Sequence, residues 1–473
     1  MARDVHTSPV RGMRDLLPQE CELRDWAVGV ILDTYRRFGF QRVETPALEH
    51  LPLLTGGDGG ENEKLIFKVL KRGDELRNGA MKWRAKLTNL QDATEQTPAA
   101  ASPSSDENDL VDAGLRYDLT VPLARFYAEH QAELPTPFKS IQIGPVWRAE
   151  RPQKGRFRQF TQCDIDVLGE AGESAEIDLI LATTEALSAL GLAHFTVRIN
   201  DRRLLQDYAR RCGVAEEKRD GFFITLDKLD KISAEAAAAE LVALGLSSDA
   251  ARDAVTGLVT QRENASLASF APDSPDARAL ESILAALLPA LAGRAHVVFD
   301  PTLVRGMGYY TGPIFEIGVE GLPYSIAGGG RYDRMIGKLL GREVPACGFS
   351  IGFERVIALL LERGVKPKRE GKLLALLHEA SAEPGAAVAP GGIATPTLAS
   401  AVAAAAALRA QGHAVSLQVK RRKLGKQLDE LQKLGFDGAA TLGEDGATQV
   451  KWFADRVAES RGGESRAAPE RAP

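Results

Sequence analysis

Apolar and polar residues recur along this chain in two rhythms, and the places where one gives way to the other divide it into elements. Trp26, Val30, Ile31 and Tyr35 fall at helical spacing and predict a helix over about 18–38, stopped by Gly39. Residues 40–48 then read as a short strand interrupted by Pro46, whose missing amide confines it to an edge, an end or an interface. After a loop holding Gly56, Gly57, Gly59 and Gly60, residues 63–71 read as a strand. Between about 74 and 114 the pattern lapses into polar, Ala/Ser/Pro-rich sequence too poor in apolar residues to build a core, which predicts a mobile surface insertion. Order returns at Leu115. Arg116, Asp118 and Thr120 alternate as on one strand face, and a helix starts near Val121.

The stretch from Val146 to Gly169 reads as two strands around a Pro/Gly turn region at Pro152 and Gly155. An Ala/Leu-rich amphipathic helix over 174–192 and a strand over 194–201 follow. Residues 202–295 are helical by periodicity, with breaks at Gly245 and Pro272–Pro275, and carry no chemical motif. Strands are then expected over 297–300 and 311–319, a glycine run before a helix at 327–333, and a strand turning into a helix over 348–355. A charged Pro/Gly linker, 366–371, marks a domain boundary. Beyond it come strand 373–377, helix 397–411, strand 414–419, helix 424–434 and strand 438–442, an alternation that argues for a small, largely parallel sheet. The tail after Arg461 reads as disordered.

Composition narrows the classes. At 473 residues the chain exceeds one ordinary domain. No apolar run approaches the roughly 20 residues that span a bilayer. The first residues lack the apolar segment of a secretory signal, so a soluble cytoplasmic protein is expected. Cys21, Cys163, Cys212 and Cys347 are scattered without metal-ligand spacing, which predicts reduced thiols and no metal site. A net charge of -5 argues against a nucleic-acid coat protein but leaves room for an RNA partner held by local basic patches.

One such patch is the 146–169 hairpin, where Arg148, Arg151, Lys154, Arg156 and Arg158 face a single acid, Glu150. Guanidinium forks bind phosphate oxygens bidentately, although charge alone favours a solvated basic hairpin. The glycine run at 328–330, taken alone, reads as a phosphate-binding turn, but it has neither dinucleotide nor P-loop spacing.

The order of residues is more specific. ERPQKGRFRQF, followed by Gln162 and Asp166, resembles motif 2 of class II aminoacyl-tRNA synthetases in its histidyl form. LVRGMGYYTG at 303–312 and AGGGRYD at 327–333 resemble the two histidine signatures of the histidyl-tRNA synthetase family, and GFSIGFER at 348–355 resembles motif 3. The helix, strand and proline before residue 48 resemble motif 1, which builds a dimer interface in that family.

The resemblance implies an α/β fold with a class II antiparallel-sheet catalytic domain flanked by helices over 1–365. It also implies a helical insertion at about 202–295 and an anticodon-binding domain over 371–460; the polar insertion at about 74–114 is longer than the turn the family needs there, and 461–473 is left as a tail. The implied activity is ATP-dependent formation of histidyl-adenylate, with Mg2+ on the phosphates, and transfer of histidine to the 3′ end of tRNA(His) by a homodimer. Carried over residue by residue, Asp118, Thr120 and Gln162 hold the α-ammonium of L-histidine, Asp166 faces the imidazole N–H, and Tyr309 and Tyr310 lie on its far side. Asp118 stands where the family more often has Glu. Arg148 takes the α-phosphate of ATP, Arg156 the outer phosphates, Phe160 the adenine face, and Arg355 adenine and the γ-phosphate. Arg305 and Arg148 stabilise the transition state. Arg151 and Gln153 face the tRNA acceptor end, while Lys420, Arg421, Arg422 and Lys423 are candidate RNA-backbone contacts. Hydrogen-bonded selection of this kind reaches about 10⁴ to 10⁵ without editing.

Three alternatives remain from sequence alone: the synthetase-like regulatory subunit of ATP phosphoribosyltransferase, a synthetase for another amino acid, and an RNA-binding pseudo-synthetase. Arg305 and the attached C-terminal domain weigh against the first, and Asp166 with the two tyrosines against the second.

Overall fold

The computed structural model of the chain describes residues 7–56, 62–94, 109–151, 157–229, 232–264, 266–272, 274–304, 309–367, 371–379, 398–443 and 447–453. It divides into two compact units, residues 1–365 and 366–473. In the first, α1 (Pro18–Arg37) puts Leu23, Ala27, Ile31 and Tyr35, four residues apart, into the core. Then follow β1 (Gln41–Arg42), β2 (Leu48–His50), α2 (Leu51–Thr55), β3 (Lys68–Leu70), α3 (Gly73–Thr94), β4 (Val111–Leu115) and α4 (Thr120–His130). The hairpin strands are β5 (Phe138–Trp147) and β6 (Gln159–Leu168), leading to α5 (Ser174–Ala189) and β7 (Phe195–Asp201). Six helices come next: α6 (Arg202–Arg211), α7 (Arg219–Leu226), α8 (Ala234–Ala243), α9 (Ser248–Asn264), α10 (Leu267–Phe270) and α11 (Pro275–Ala290). The unit closes with β8 (Ala295–Phe299), β9 (Pro313–Val319), β10 (Ser325–Arg331), α12 (Arg334–Leu340), β11 (Ala346–Ile351) and α13 (Phe353–Glu362).

Eight strands form one sheet in the order β1-β5-β6-β11-β10-β9-β7-β8, antiparallel from β5 to β7 and parallel only in the edge pairs β1/β5 and β7/β8. A separate three-stranded sheet runs β2-β4-β3. The central layer is pinned by a buried fork: Arg331 on β10 donates to Glu176 on α5 at 2.6 and 2.8 Å.

Several local readings differ from the structure. The single strand expected around Pro46 is two, β1 and β2, in different sheets, because the proline breaks the ladder where the chain crosses between them. The strand expected over 63–71 is a 3-10 turn at Asn62–Leu65 followed by β3. The coreless insertion begins with the 22-residue helix α3, whose Leu76, Gly79 and Trp83 share one narrow inward face. Gly79 lies so close to the Asp109 backbone that a Cβ would collide with its carbonyl oxygen. Residues 95–108 of that stretch lie outside the described residues, and its end is not a loose insertion, since Val111–Gly114 belong to β4, which is paired on both sides by β2 and β3. Helix α5 is buried nearly all round rather than amphipathic, since it packs against both α1 and the sheet.

In the second unit, β12 (Leu373–His378), α14 (Leu398–Ala410), β13 (Ala414–Val419), α15 (Leu424–Lys433), β14 (Gly438–Leu442) and β15 (Thr448–Trp452) build a sheet in the order β13-β12-β14-β15. Its first three strands are parallel and β15 adds an antiparallel edge that the apolar pattern does not reveal. The tail over 461–473 lies outside the described residues.

Candidate active site

A cavity of about 360 Å³ opens on the central strands, and nine of the residues singled out from the sequence line it: Asp118, Thr120, Arg148, Phe160, Gln162, Asp166, Tyr309, Tyr310 and Arg355. They reach it by different routes. Asp118 and Thr120 do not share a strand face, because β4 ends at Leu115 and α4 starts at Thr120. Asp118 instead accepts from the Val121 backbone N–H at 3.1 Å, so its carboxylate is fixed at the helix start. Arg116, which the same alternation would put beside it, is a buried structural residue donating to the backbone oxygens of Thr45 (2.6 Å) and Pro145 (3.0 Å). Gln162 and Asp166 sit on one face of β6.

The glycine run at 328–330 is not a turn. It lies within β10, a central strand, where Gly329 leaves no room for a Cβ against the Gly348 carbonyl of β11, and a Cβ on Gly330 would press on the Tyr310 ring. On the next strand, a Cβ at Gly348 would overlap the Asp166 carboxylate. Glycine here makes space for the cavity floor.

One half of the cavity is acidic. Burial pushes the Asp118 carboxyl up to about 6, against the partial relief of the Val121 N–H and Arg148. Burial also lifts Asp166 to about 7, although the Tyr332 hydroxyl donates to its Oδ1 at 2.6 Å. A third carboxyl, Asp164, is raised well above the usual range by burial and by Asp166, and accepts from Ser350 Oγ and, at 3.3 Å, from Gln162 Nε2. Among the described residues, Asp118 Oδ2, Asp166 Oδ2 and Gln162 Oε1 are buried without a hydrogen-bond partner. Three unsatisfied acceptors around one space, costly to leave so, call for a compact ligand rich in donors and positive charge.

The other half is basic and aromatic. Arg148 lies 5.1 Å over the Phe160 ring while its Nε donates to the Tyr117 carbonyl at 3.0 Å. Arg355 donates to the Ser325 carbonyl at 2.6 Å and lies 5.0 Å over the Tyr324 ring. A flat face flanked by two guanidinium groups suits a nucleotide.

Other candidate residues fall elsewhere. Arg151 is exposed at the base of the hairpin loop, and Gln153, Arg156 and Arg305 lie outside the described residues. In the second unit Lys420 pairs with Glu379 (2.7 Å) and Arg421 with Glu430 (2.6 Å), while Arg422 and Lys423 are exposed. Sequence reasoning missed Asp164, Tyr332 and Ser350. Their signals were present: Asp164 shares the β6 stretch with Gln162 and Asp166, and Tyr332 is part of the AGGGRYD string.

Comparison with known proteins agrees with this geometry. The family model described as histidyl-tRNA synthetase matches residues 12–90 and 103–356, leaving out 91–102 within the polar stretch. The histidine–tRNA ligase of Leifsonia xyli is 49% identical over 377 residues, covering 75% of this chain and 80% of the relative. That of Cytophaga hutchinsonii is 32% identical over 448 residues, covering 93% of each. Among solved structures, histidyl-tRNA synthetase from Nostoc shares the fold with a TM-score of 0.69 at 22% identity, covering 95% of this chain and 97% of that one. An ATP phosphoribosyltransferase regulatory subunit/histidyl-tRNA synthetase from Bacillus halodurans superposes with a TM-score of 0.66 at 20% identity, covering 90% and 97%. The matched motifs, the antiparallel sheet and the paired acidic and basic halves of one cavity agree, and the chain belongs to the histidyl-tRNA synthetase family.

Proposed function

We propose the roles by which this chain, an ATP-dependent histidine–tRNA ligase, binds and joins its substrates. The three unpartnered acceptors of the acidic half carry the reading. Histidine supplies an α-ammonium for Asp118 Oδ2, Gln162 Oε1 and the Thr120 hydroxyl, and an imidazole N–H for Asp166 Oδ2. Tyr332 holds Asp166 by its other oxygen, so the free one is aimed rather than floating. Tyr309 and Tyr310 flank the ring. A ligand lacking the second donor leaves Asp166 unpaired in a buried site, which is the physical basis of selection.

ATP occupies the basic half, with adenine on Phe160, the α-phosphate on Arg148 and the distal end on Arg355; Arg156 takes the outer phosphates. Mg2+ enters with ATP as part of the substrate and neutralises phosphate charge. The histidine carboxylate oxygen attacks the α-phosphorus, the bond to pyrophosphate breaks, and Arg148 with Arg305 offsets the charge that builds on the phosphorus oxygens. A hydroxyl of the 3′-terminal ribose of tRNA then attacks the adenylate carbonyl and AMP leaves. Arg151 and Gln153 face the acceptor end, and Arg422 and Lys423 of the second unit, with Lys420 and Arg421, contact the anticodon side. The active species is a cytoplasmic homodimer.

The deciding experiment is amino-acid-dependent ATP/pyrophosphate exchange with histidine, proline, threonine, glycine and no amino acid. Exchange with histidine alone is expected. Folded protein that binds histidine but exchanges nothing would match a regulatory subunit instead.

A further inference from the structure

At the rim of the cavity, where Phe157, Thr161 and Glu354 belong to its lining, a charged network ties the start of the chain to the return strand of the hairpin. The Glu354 side chain, only 14% exposed, sits in the first turn of α13 between Phe353 and Arg355. Its Oε1 accepts from the Thr161 backbone N–H at 3.0 Å and from Arg24 Nη2 at 2.7 Å, and its Oε2 from Arg24 Nη1 at 2.8 Å and Arg14 Nη2 at 3.2 Å. Arg24 Nη2 also donates to Thr161 Oγ1 at 2.9 Å. Arg14 is forked onto Glu20 at 2.9 and 2.6 Å and lies 4.6 Å over the Phe157 ring. Next to it, Gly12 O accepts from the Arg158 backbone N–H at 2.7 Å.

The sheet explains why these contacts matter. On β6 the last residue paired with β11 is Cys163, opposite Ile351. Beyond Cys163, toward the hairpin tip, β6 keeps its ladder with β5 alone. Glu354 supplies an acceptor to Thr161 where β11 has ended, and Gly12 does the same for Arg158. Phe160 lies between these two tethers. Burial works to raise the Glu354 carboxyl, but Arg24, the Thr161 N–H and Arg14 outweigh it and hold it below the usual value, so the anchor is a charged one.

We propose that Glu354, held by Arg24 and Arg14, is a positioning residue for the nucleotide, and that the N-terminal segment 11–14 thereby forms part of the ATP site without touching ATP. The inference rests on the reading of Phe160 as the adenine platform. Loosening the tether lets Phe160 and the return arm drift, while Gln162 and Asp166, deeper in the strand, stay paired with β11 or lie next to paired residues. The effect should therefore fall on one substrate and spare the other.

The test is ATP/pyrophosphate exchange in the full chain with ATP and histidine varied separately. Arg14→Ala, a change at a partly exposed side chain away from the cavity lining, is expected to raise KM for ATP about tenfold, as displacement of a substrate-positioning group does. KM for histidine should stay within about twofold, and Arg14→Lys, which keeps the charge, should recover part of the loss. Glu354→Gln should shift KM for ATP in the same direction and further. An unchanged KM for ATP in both variants, or equal rises in both KM values, would overturn the inference while leaving the wild-type reaction intact. Absence of histidine-dependent exchange in the wild type would overturn the reading of the cavity, and this inference with it.

Discussion

The two halves of the cavity solve opposite problems with the same backbone. In the acidic half the acceptors are buried and lack partners among the described residues, so this half carries an electrostatic cost until a ligand arrives. In the basic half the guanidinium groups are already engaged, Arg148 with the Tyr117 carbonyl and Arg355 with the Ser325 carbonyl, and lie on aromatic rings. In the proposed roles the first half recognises by penalty, since a wrong ligand leaves a buried charge unpaired, and the second by supply, offering positive charge and a flat face to a ligand that is always the same. On that proposal, selectivity belongs to the half where an error is expensive.

That contrast can be broken in order of expected effect. Arg305→Ala removes the charge proposed to act only in the transition state, and should cut histidine-dependent exchange by about 10² to 10³ with the fold retained by circular dichroism. An exchange rate near wild type would take Arg305 out of the chemistry. Asp166→Asn keeps the shape and the contact with Tyr332 but loses the ionised acceptor. A loss of about 10² in kcat/KM for histidine, with KM for ATP unchanged, is expected. Equal losses for both substrates would mean that the halves are not separable.

Acidity sharpens the same comparison. Burial raises the Asp118 carboxyl to about 6 and that of Asp166 to about 7 in the free cavity, and in the proposed roles both are ionised when they take the ammonium and the imidazole N–H. Because their folded values are raised, the stability they lend the free protein is full below the unfolded value of about 4 and is lost as pH rises through 6 to 7. Histidine should therefore raise the melting temperature more at pH 8 than at pH 6, whereas a shift that is flat with pH would deny the carboxyls this role. The smallest effect belongs to the second unit. Arg422→Ala with Lys423→Ala should raise KM for tRNA a few-fold (about 2 to 5) and weaken its salt dependence, leaving exchange untouched. Arg421→Ala, whose side chain is shared with Glu430, should raise KM for tRNA by less than that pair does.

The sequence by itself placed the chemistry: strings of residues with characteristic order put nine side chains into one cavity, although they come from four distant stretches of chain. Periodicity also located most helices and strands, because apolar spacing records which face is buried, but it missed α2 and the narrow-faced α3. It did not determine why those side chains meet. Asp118 reaches the cavity from a helix start rather than a strand face, since α4 begins sooner than alternation suggests. The glycine run is a central strand, because glycine's lack of a side chain makes room across three neighbouring strands, a pairing between residues far apart in sequence. Tyr332 and Glu354 stand in strings the sequence singles out, but that one holds Asp166 and the other Thr161 is shown by no local pattern. Periodicity reports burial along one element, whereas hydrogen bonds between residues 166 and 193 positions apart exist only once the sheet has brought them together.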